Sequence, residues 1–215
     1  MNITFLQFLL GVLFLSIIYL HLARKNFEAV VAYAVQSSAI TVLLFASFLE
    51  TNSIYLLFVV LVTLVVKAIF GPVFFFRLIQ KHKLTYSVST YLNMPLALII
   101  IAVFTAISRF QQFSPLTNII PANHALLSLA LAAIFTSLFL IINRKDAISQ
   151  AIGVLSMENS IVAFAIFAGL EQSPMLQLGI VFDIFIWLII ATVFISMIYR
   201  HFGSLDTSTM KHLKD

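Results

Sequence analysis

Apolar residues run along this chain in seven long blocks separated by short polar breaks. The blocks fall at roughly 3–22, 28–49, 53–79, 86–108, 122–142, 148–170 and 174–199. A helix needs about 20 apolar residues to cross a hydrocarbon core, and every block meets that length. The pattern predicts an all-α, polytopic integral membrane bundle of seven transmembrane helices. The longest break, Arg109 to Pro121, carries Pro115 and Pro121 and divides four helices from three. The expected layout is a four-helix N-terminal segment (1–112), a three-helix segment (113–200) and a polar tail (201–215). Met1 to Leu22 has no basic n-region and no small-residue cleavage site, so it reads as a first span and not a cleavable signal.

The polar breaks set the orientation. Arg24 and Lys25 follow the first block, and Arg77, Lys81 and Lys83 follow the third. Arg144 and Lys145 follow the fifth, and Arg200, Lys211 and Lys214 follow the seventh. The opposite side holds only Arg109, with Glu50 and Glu171. Positive-inside bias then places the N-terminus outside and the C-terminus in the cytoplasm.

Composition agrees with the pattern. Of 215 residues, 62% are hydrophobic and only 9% charged, against about 25% charged in soluble domains. The chain has no room for a separate soluble catalytic domain. The net charge of +4 is no nucleic-acid signature, because the basic residues sit at helix ends. With no Cys, disulfides, thiolate metal sites and Cys-held clusters are excluded. His21, His82, His201 and His212 are too scattered for a metal site. No nucleophile set, phosphate loop or haem ligand pair stands out, so the chain alone is not expected to be an enzyme.

Three ionisable residues interrupt the apolar blocks: Lys67, Glu158 and Asp183. The block Ile148 to Ala168 reads ISQAIGVLSMENSIVAFAIFA, with Glu158 and Asn159 near its middle. An acid at a helix centre costs about 2.5–3.5 kcal/mol to insert, so its default reading is functional, with a partner elsewhere. At a rise of about 1.5 Å per residue, Lys67 and Glu158 each lie about 15 Å from the cytoplasmic edge, and Asp183 about 13 Å below the outer one. One base and two acids near the midplane suit a proton relay, each tuning its neighbours' affinity for protons. The competing reading is a static ion pair that fixes helix packing.

Other polar positions carry weaker signals. Gln36, with Ser37 and Ser38, lies mid-block; Asn93, Ser128, Thr136 and Ser137 lie in the fourth and fifth blocks. Such residues can line a hydrated path, but more often they bond a neighbouring helix. His124, near the outer surface, could pass protons to water. Asn159, His124 and Gln36 are therefore the candidate supports of a path through Glu158, Lys67 and Asp183. Small residues four apart, Ala34/Ser38 and Ala165/Gly169, could admit close helix approach. Pro72 and Pro95 are expected to kink the third and fourth helices.

Asn143-Arg144-Lys145-Asp146, followed by Gly153-x-Leu155-x-x-Glu158-Asn159, has a recognisable form. A basic loop, a helix with a central Glu and a last helix with a buried acid resemble the K-type subunit of respiratory complex I. They also resemble the C subunit of Mrp-type antiporters, over about Ala122 to Arg200. The whole chain resembles the hydrogenase-4 component E family, which adds four helices in front. Lys67 and Pro72 in VVKAIFGP, and Phe182-Asp183, match that family's third and last helices.

The resemblance implies a subunit of the bacterial or archaeal cytoplasmic (inner) membrane, in the membrane arm of a formate hydrogenlyase or related group 4 [NiFe]-hydrogenase. Glu158 takes the central-helix Glu role. Asp183 stands where K-type subunits usually have Glu, and Lys67 has a counterpart only in component E. The implied partners are antiporter-like membrane subunits and hydrogenase-type redox subunits. The nickel-iron centre and iron–sulfur clusters would reside in those partners, with no cofactor in this chain. The rival readings are a subunit of an Mrp-type cation/proton antiporter and a structural spacer without proton conduction.

Overall fold

The computed structural model describes residues 3–81 and 90–169, with the single helical positions Phe182, Ile189, Val193, Met197 and Arg200. Long helices dominate the described residues. They are α1 (Ile3–Leu22), α2 (Asn26–Thr51), α3 (Ile54–Lys81), α4 (Met94–Ile107), α5 (His124–Asn143) and α6 (Ala147–Phe167). Five of them, α4 excepted, are long and apolar enough to cross a membrane. The count becomes six if α4 and the short helical stretch Gln111–Thr117, bent 60° from it, form one broken span. The seventh block, 174–199, lies outside the described residues.

Helix ends follow local chemistry. Glu28 Oε2 accepts from the Arg24 and Lys25 N–H groups at 3.1 and 3.4 Å, which starts α2. Asn52 stops α2 in the left-handed region at φ 51° and returns its N–H to Phe48 O at 2.8 Å, as C-terminal caps do. Asp146 Oδ1 accepts from the Ser149 N–H at 2.8 Å and starts α6.

Pro95 behaves differently from the expectation. The fourth helix begins at Met94, not near residue 86. Asn93 caps it by accepting the Leu96 N–H at 3.1 Å, and Pro95 lies in its first turn. There a missing N–H costs nothing, so Pro95 starts the helix and does not kink it. Pro72 is preceded by a wide, π-helical turn over Leu64–Phe70, in which the Gly71 N–H reaches back to Val66 O. The extra residue in that turn makes room for a ring that would otherwise strike the preceding carbonyls.

Helices α5 and α6 pack along their length, with α1 and α2 against them and α3 at the edge. At the α5–α6 contact a Cβ on Gly153 would stand 2.8 Å from Ile141 Cγ1, so glycine is required for this approach. The two small pairs noted above play other parts. Ser38 is exposed and bonds Ala34 O on its own helix. Gly169, at φ +61°, ends α6.

The interior has three layers. One apolar cluster includes Leu10, Leu13, Ile40, Val60, Ala133 and Val162. A second includes Tyr33, Phe75, Leu140, Ile148 and Leu155. Between them each of four helices buries polar residues: Gln36 and Ser37 on α2, Lys67 on α3, Thr136 and Ser137 on α5, Ser156, Asn159 and Ser160 on α6. Outside, Phe8, Leu15, Ile54, Ile99 and Ile142 lie exposed. Apolar exposure over so many helices is what a hydrocarbon surround accepts and water does not.

Candidate functional site

The polar layer centres on α3 and α6. Lys67 projects from the wide turn of α3, and its Nζ lies 2.7 Å from Glu158 Oε1. The same Nζ donates to Asn159 Oδ1 at 3.3 Å. Asn159 Nδ2 in turn donates to Ser37 Oγ at 3.3 Å, which ties α2 to α6. Ser137 and Ser160 hydroxyls stand 3.4 Å apart between α5 and α6. One ammonium thus stands in ion-pair contact with a carboxylate and donates to an amide carbonyl, and the amide is held by a hydroxyl on a third helix.

Apolar packing above and below keeps this layer in a low-dielectric setting, where charge interactions strengthen and unpaired groups become expensive. A proton shared across 2.7 Å between a carboxylate and an amine gives two states, charged pair and neutral pair. Their balance responds to any charge that approaches. The arrangement can therefore hold, release or pass a proton, and it can equally lock three helices together.

The other expected site residues are placed unevenly. Gln36 is fully buried beside Ser37, and neither its amide oxygen nor its nitrogen has a hydrogen-bond partner among the described residues. His124 is exposed at the first residue of α5. It is about 20 Å along the helix from the level of Ser137, so the fold does not bring it to the pair. Asp183 lies outside the described residues. Among the described residues no group of three or more His, Asp or Glu side chains is placed to hold a metal ion.

A second polar centre escaped the reading of the sequence. Arg144, in the loop between α5 and α6, turns inward and is almost fully buried. Its Nη2 donates to Leu20 O and, at 2.9 Å, to Ala23 O, the carbonyls that close α1. Burial pushes the guanidinium below its ordinary value, and the Asp146 charge opposes that. A guanidinium still does not lose its proton in a protein, so the site keeps its charge. Thr90 and Arg144 form an isolated antiparallel bridge, and Asn143 Oδ1 accepts the Leu92 N–H at 2.9 Å. His21 stacks on Phe139 at 5.0 Å and donates from Nε2 to Thr136 O at 3.1 Å. A basic residue in a short loop looks like any other loop charge; only the return of α1 beside that loop gives Arg144 carbonyls to meet.

Fold and site together define an all-helical bundle compatible with a multi-pass membrane protein and carrying an acid–base pair in its polar layer. No family model matches the chain. A similar protein is Uncharacterized protein Rv0085 of Mycobacterium tuberculosis, 24% identical over 194 residues that cover 89% of this chain and 88% of that one. No solved structure matches.

Proposed function

We propose that this chain is a non-catalytic membrane-arm subunit of a proton-coupled redox complex of the formate hydrogenlyase or group 4 hydrogenase type. In this reading seven helices cross the cytoplasmic membrane, N-terminus outside, and Glu158 and Lys67 form one station of a lateral proton path. Asp183 would be a further station. The redox centres belong to partner chains. The observation that carries the proposal is the Lys67–Glu158 contact of 2.7 Å within a polar layer that apolar clusters close on both sides. The resemblance of the chain to hydrogenase-4 component E supplies the choice of complex.

A charge change at one end of the layer would shift the proton balance of the pair and pass the shift sideways. Glu158→Gln should abolish coupling while the complex still assembles. One observation favours the structural alternative: the Lys67–Asn159–Ser37 contacts join three helices, as a spacer would require. The test is recovery of the tagged full-length protein in mild detergent, followed by mass spectrometry of what accompanies it. Antiporter-like subunits with hydrogenase-type redox subunits support the proposal. Antiporter-like chains alone favour an Mrp-type assembly. A Lys67→Met/Glu158→Leu double variant with full coupling would leave only the spacer.

A further inference from the structure

The polar layer between the two apolar clusters is about one turn deep on α2 and α6. On α2 it holds Gln36 and Ser37, with Tyr33 in the cluster on one side and Ile40 in the cluster on the other. On α6 it runs from Ser156 to Ser160, between Leu155 and Val162. The two helices pack side by side. Both start at the end of the bundle where Arg144 meets Ala23 O, so they run parallel. The hydrogen bond from Asn159 to Ser37 fixes their register. Gln36 and Ser156 therefore lie within about one helical turn, ~5.4 Å, of each other along the bundle.

The other polar side chains of the layer have partners. Lys67 has Glu158 and Asn159, and Asn159 has Ser37. Thr136 donates to Ala132 O, Ser160 donates to Ser156 O, and the Ser137 and Ser160 hydroxyls stand together. Gln36 and Ser156 are the exceptions. Both amide atoms of Gln36 and the Ser156 hydroxyl are buried without a hydrogen-bond partner among the described residues. Turning the Gln36 amide over changes nothing, because neither of its ends is bonded. Buried polar groups of native interiors are bonded either to protein or to ordered water.

Gln36 and Ser156 are each 0% exposed, so a molecule that bonds them must be small, of about one heavy atom. It must also accept from an amide nitrogen and donate to an amide oxygen. A metal cation would leave the nitrogen without an acceptor, and an anion would leave the oxygen without a donor. Water donates twice and accepts twice, and buried waters make about three such bonds. We infer that the layer binds an ordered water between the Gln36 amide and the Ser156 hydroxyl. Gln36 adjoins Ser37, so the water sets a rotatable dipole near the Lys67–Glu158 contact and returns part of the solvation that burial removes. The inference stands on packing and hydrogen bonding, and it does not require the pair to transfer protons.

The test is radiolytic hydroxyl labelling of the detergent-purified full-length protein in heavy-oxygen water, read residue by residue by mass spectrometry. Ile40 shares a face of α2 with Gln36, and Ile152 shares a face of α6 with Ser156, each one turn away. Both isoleucines are buried, so radicals formed in bulk solvent do not reach them, whereas a radical formed from the bound water does. Ile40 and Ile152 should take up heavy oxygen. Leu127 and Phe167, buried in an apolar cluster, should not. Gln36→Leu should lower the labelling of both isoleucines roughly fivefold or more, and Ser156→Ala should lower it as well. If Gln36→Leu does not fold, Ser156→Ala alone decides. Isoleucines labelled no more than Leu127 and Phe167 would overturn the inference, since Gln36 would then have found a protein partner directly. Labelling that persists in the folded variants would overturn it too, by placing the water elsewhere.

Discussion

Lys67 and Glu158 meet at 2.7 Å, yet they are unequally enclosed: the Lys67 side chain is 3% exposed and that of Glu158 21%. The base is sealed inside the bundle, while the acid sits at its margin. A group that reached this pair from outside would therefore meet the carboxylate first. Any proton leaving sideways would leave by Glu158.

Removing one member of the pair should cost more than removing both. Glu158→Leu leaves a buried ammonium without its carboxylate and should lower stability by about 3–5 kcal/mol; Lys67→Met takes the ammonium from a carboxylate that is only partly enclosed and should cost less. The double variant should recover most of that loss. Detergent-solubilised thermal unfolding of the four proteins measures the coupling directly. Additive losses would mean that the two charges do not interact in the folded protein.

Asn159 should matter for stability as well as for the pair. Its amide accepts from Lys67 and donates to Ser37. Asn159→Leu removes the amide acceptor of Lys67 and the donor to Ser37 in a buried layer, for about 1–3 kcal/mol. Ser37→Ala removes one contact and should cost about 1 kcal/mol. Adding Ser37→Ala to Asn159→Leu should then cost almost nothing more.

The α5–α6 contact should be intolerant of side chains. A Cβ at residue 153 meets Ile141 Cγ1 at 2.8 Å and the Ile141 backbone nitrogen at 3.3 Å. The side chain can move, but the backbone cannot without parting the helices. Gly153→Ala should lose about 1–3 kcal/mol, and Gly153→Val more. An Ile141→Val partner should restore only part of the loss, read as the shift in unfolding temperature.

Asp146 should give the folded protein an acid-side pH dependence. Burial raises its carboxyl above the ordinary value of 3.8, although hydrogen bonds from Ser149 and the Arg144 charge oppose the rise. The folded state then keeps a proton that the unfolded chain releases. Stability should fall as pH climbs from about the ordinary value through the raised one, and level off beyond it. Asp146→Asn retains a side-chain oxygen for the Ser149 N–H and has nothing to ionise. Its unfolding temperature should lack that slope between acidic and neutral pH. A slope identical to that of the wild type would place the titration elsewhere.

Much of this architecture was legible before any coordinates. Five of the seven apolar blocks correspond to helices within a few residues, the fourth starts late, at Met94, and the seventh lies outside the described residues. A proline in a first turn and a proline in an interior look alike in a run of apolar letters. Only the cap on Asn93 separates them. Pro72 was rightly placed inside a helix, but its accommodation by a wide turn depends on backbone geometry several residues away.

The linear order of residues determined where helices form and which side chains are expensive to bury. Both are properties of single segments: an apolar stretch must satisfy its own backbone hydrogen bonds, and an ionised group loses its hydration wherever it is enclosed. Partnership was decided by the tertiary structure alone. Lys67 and Glu158 lie 91 positions apart (158 − 67), and Arg144 and Leu20 124 apart. Whether such residues meet depends on helix rotation and approach, and those are set by the close contact at Gly153, the wide turn beneath Lys67 and the layering of two apolar clusters around a polar one.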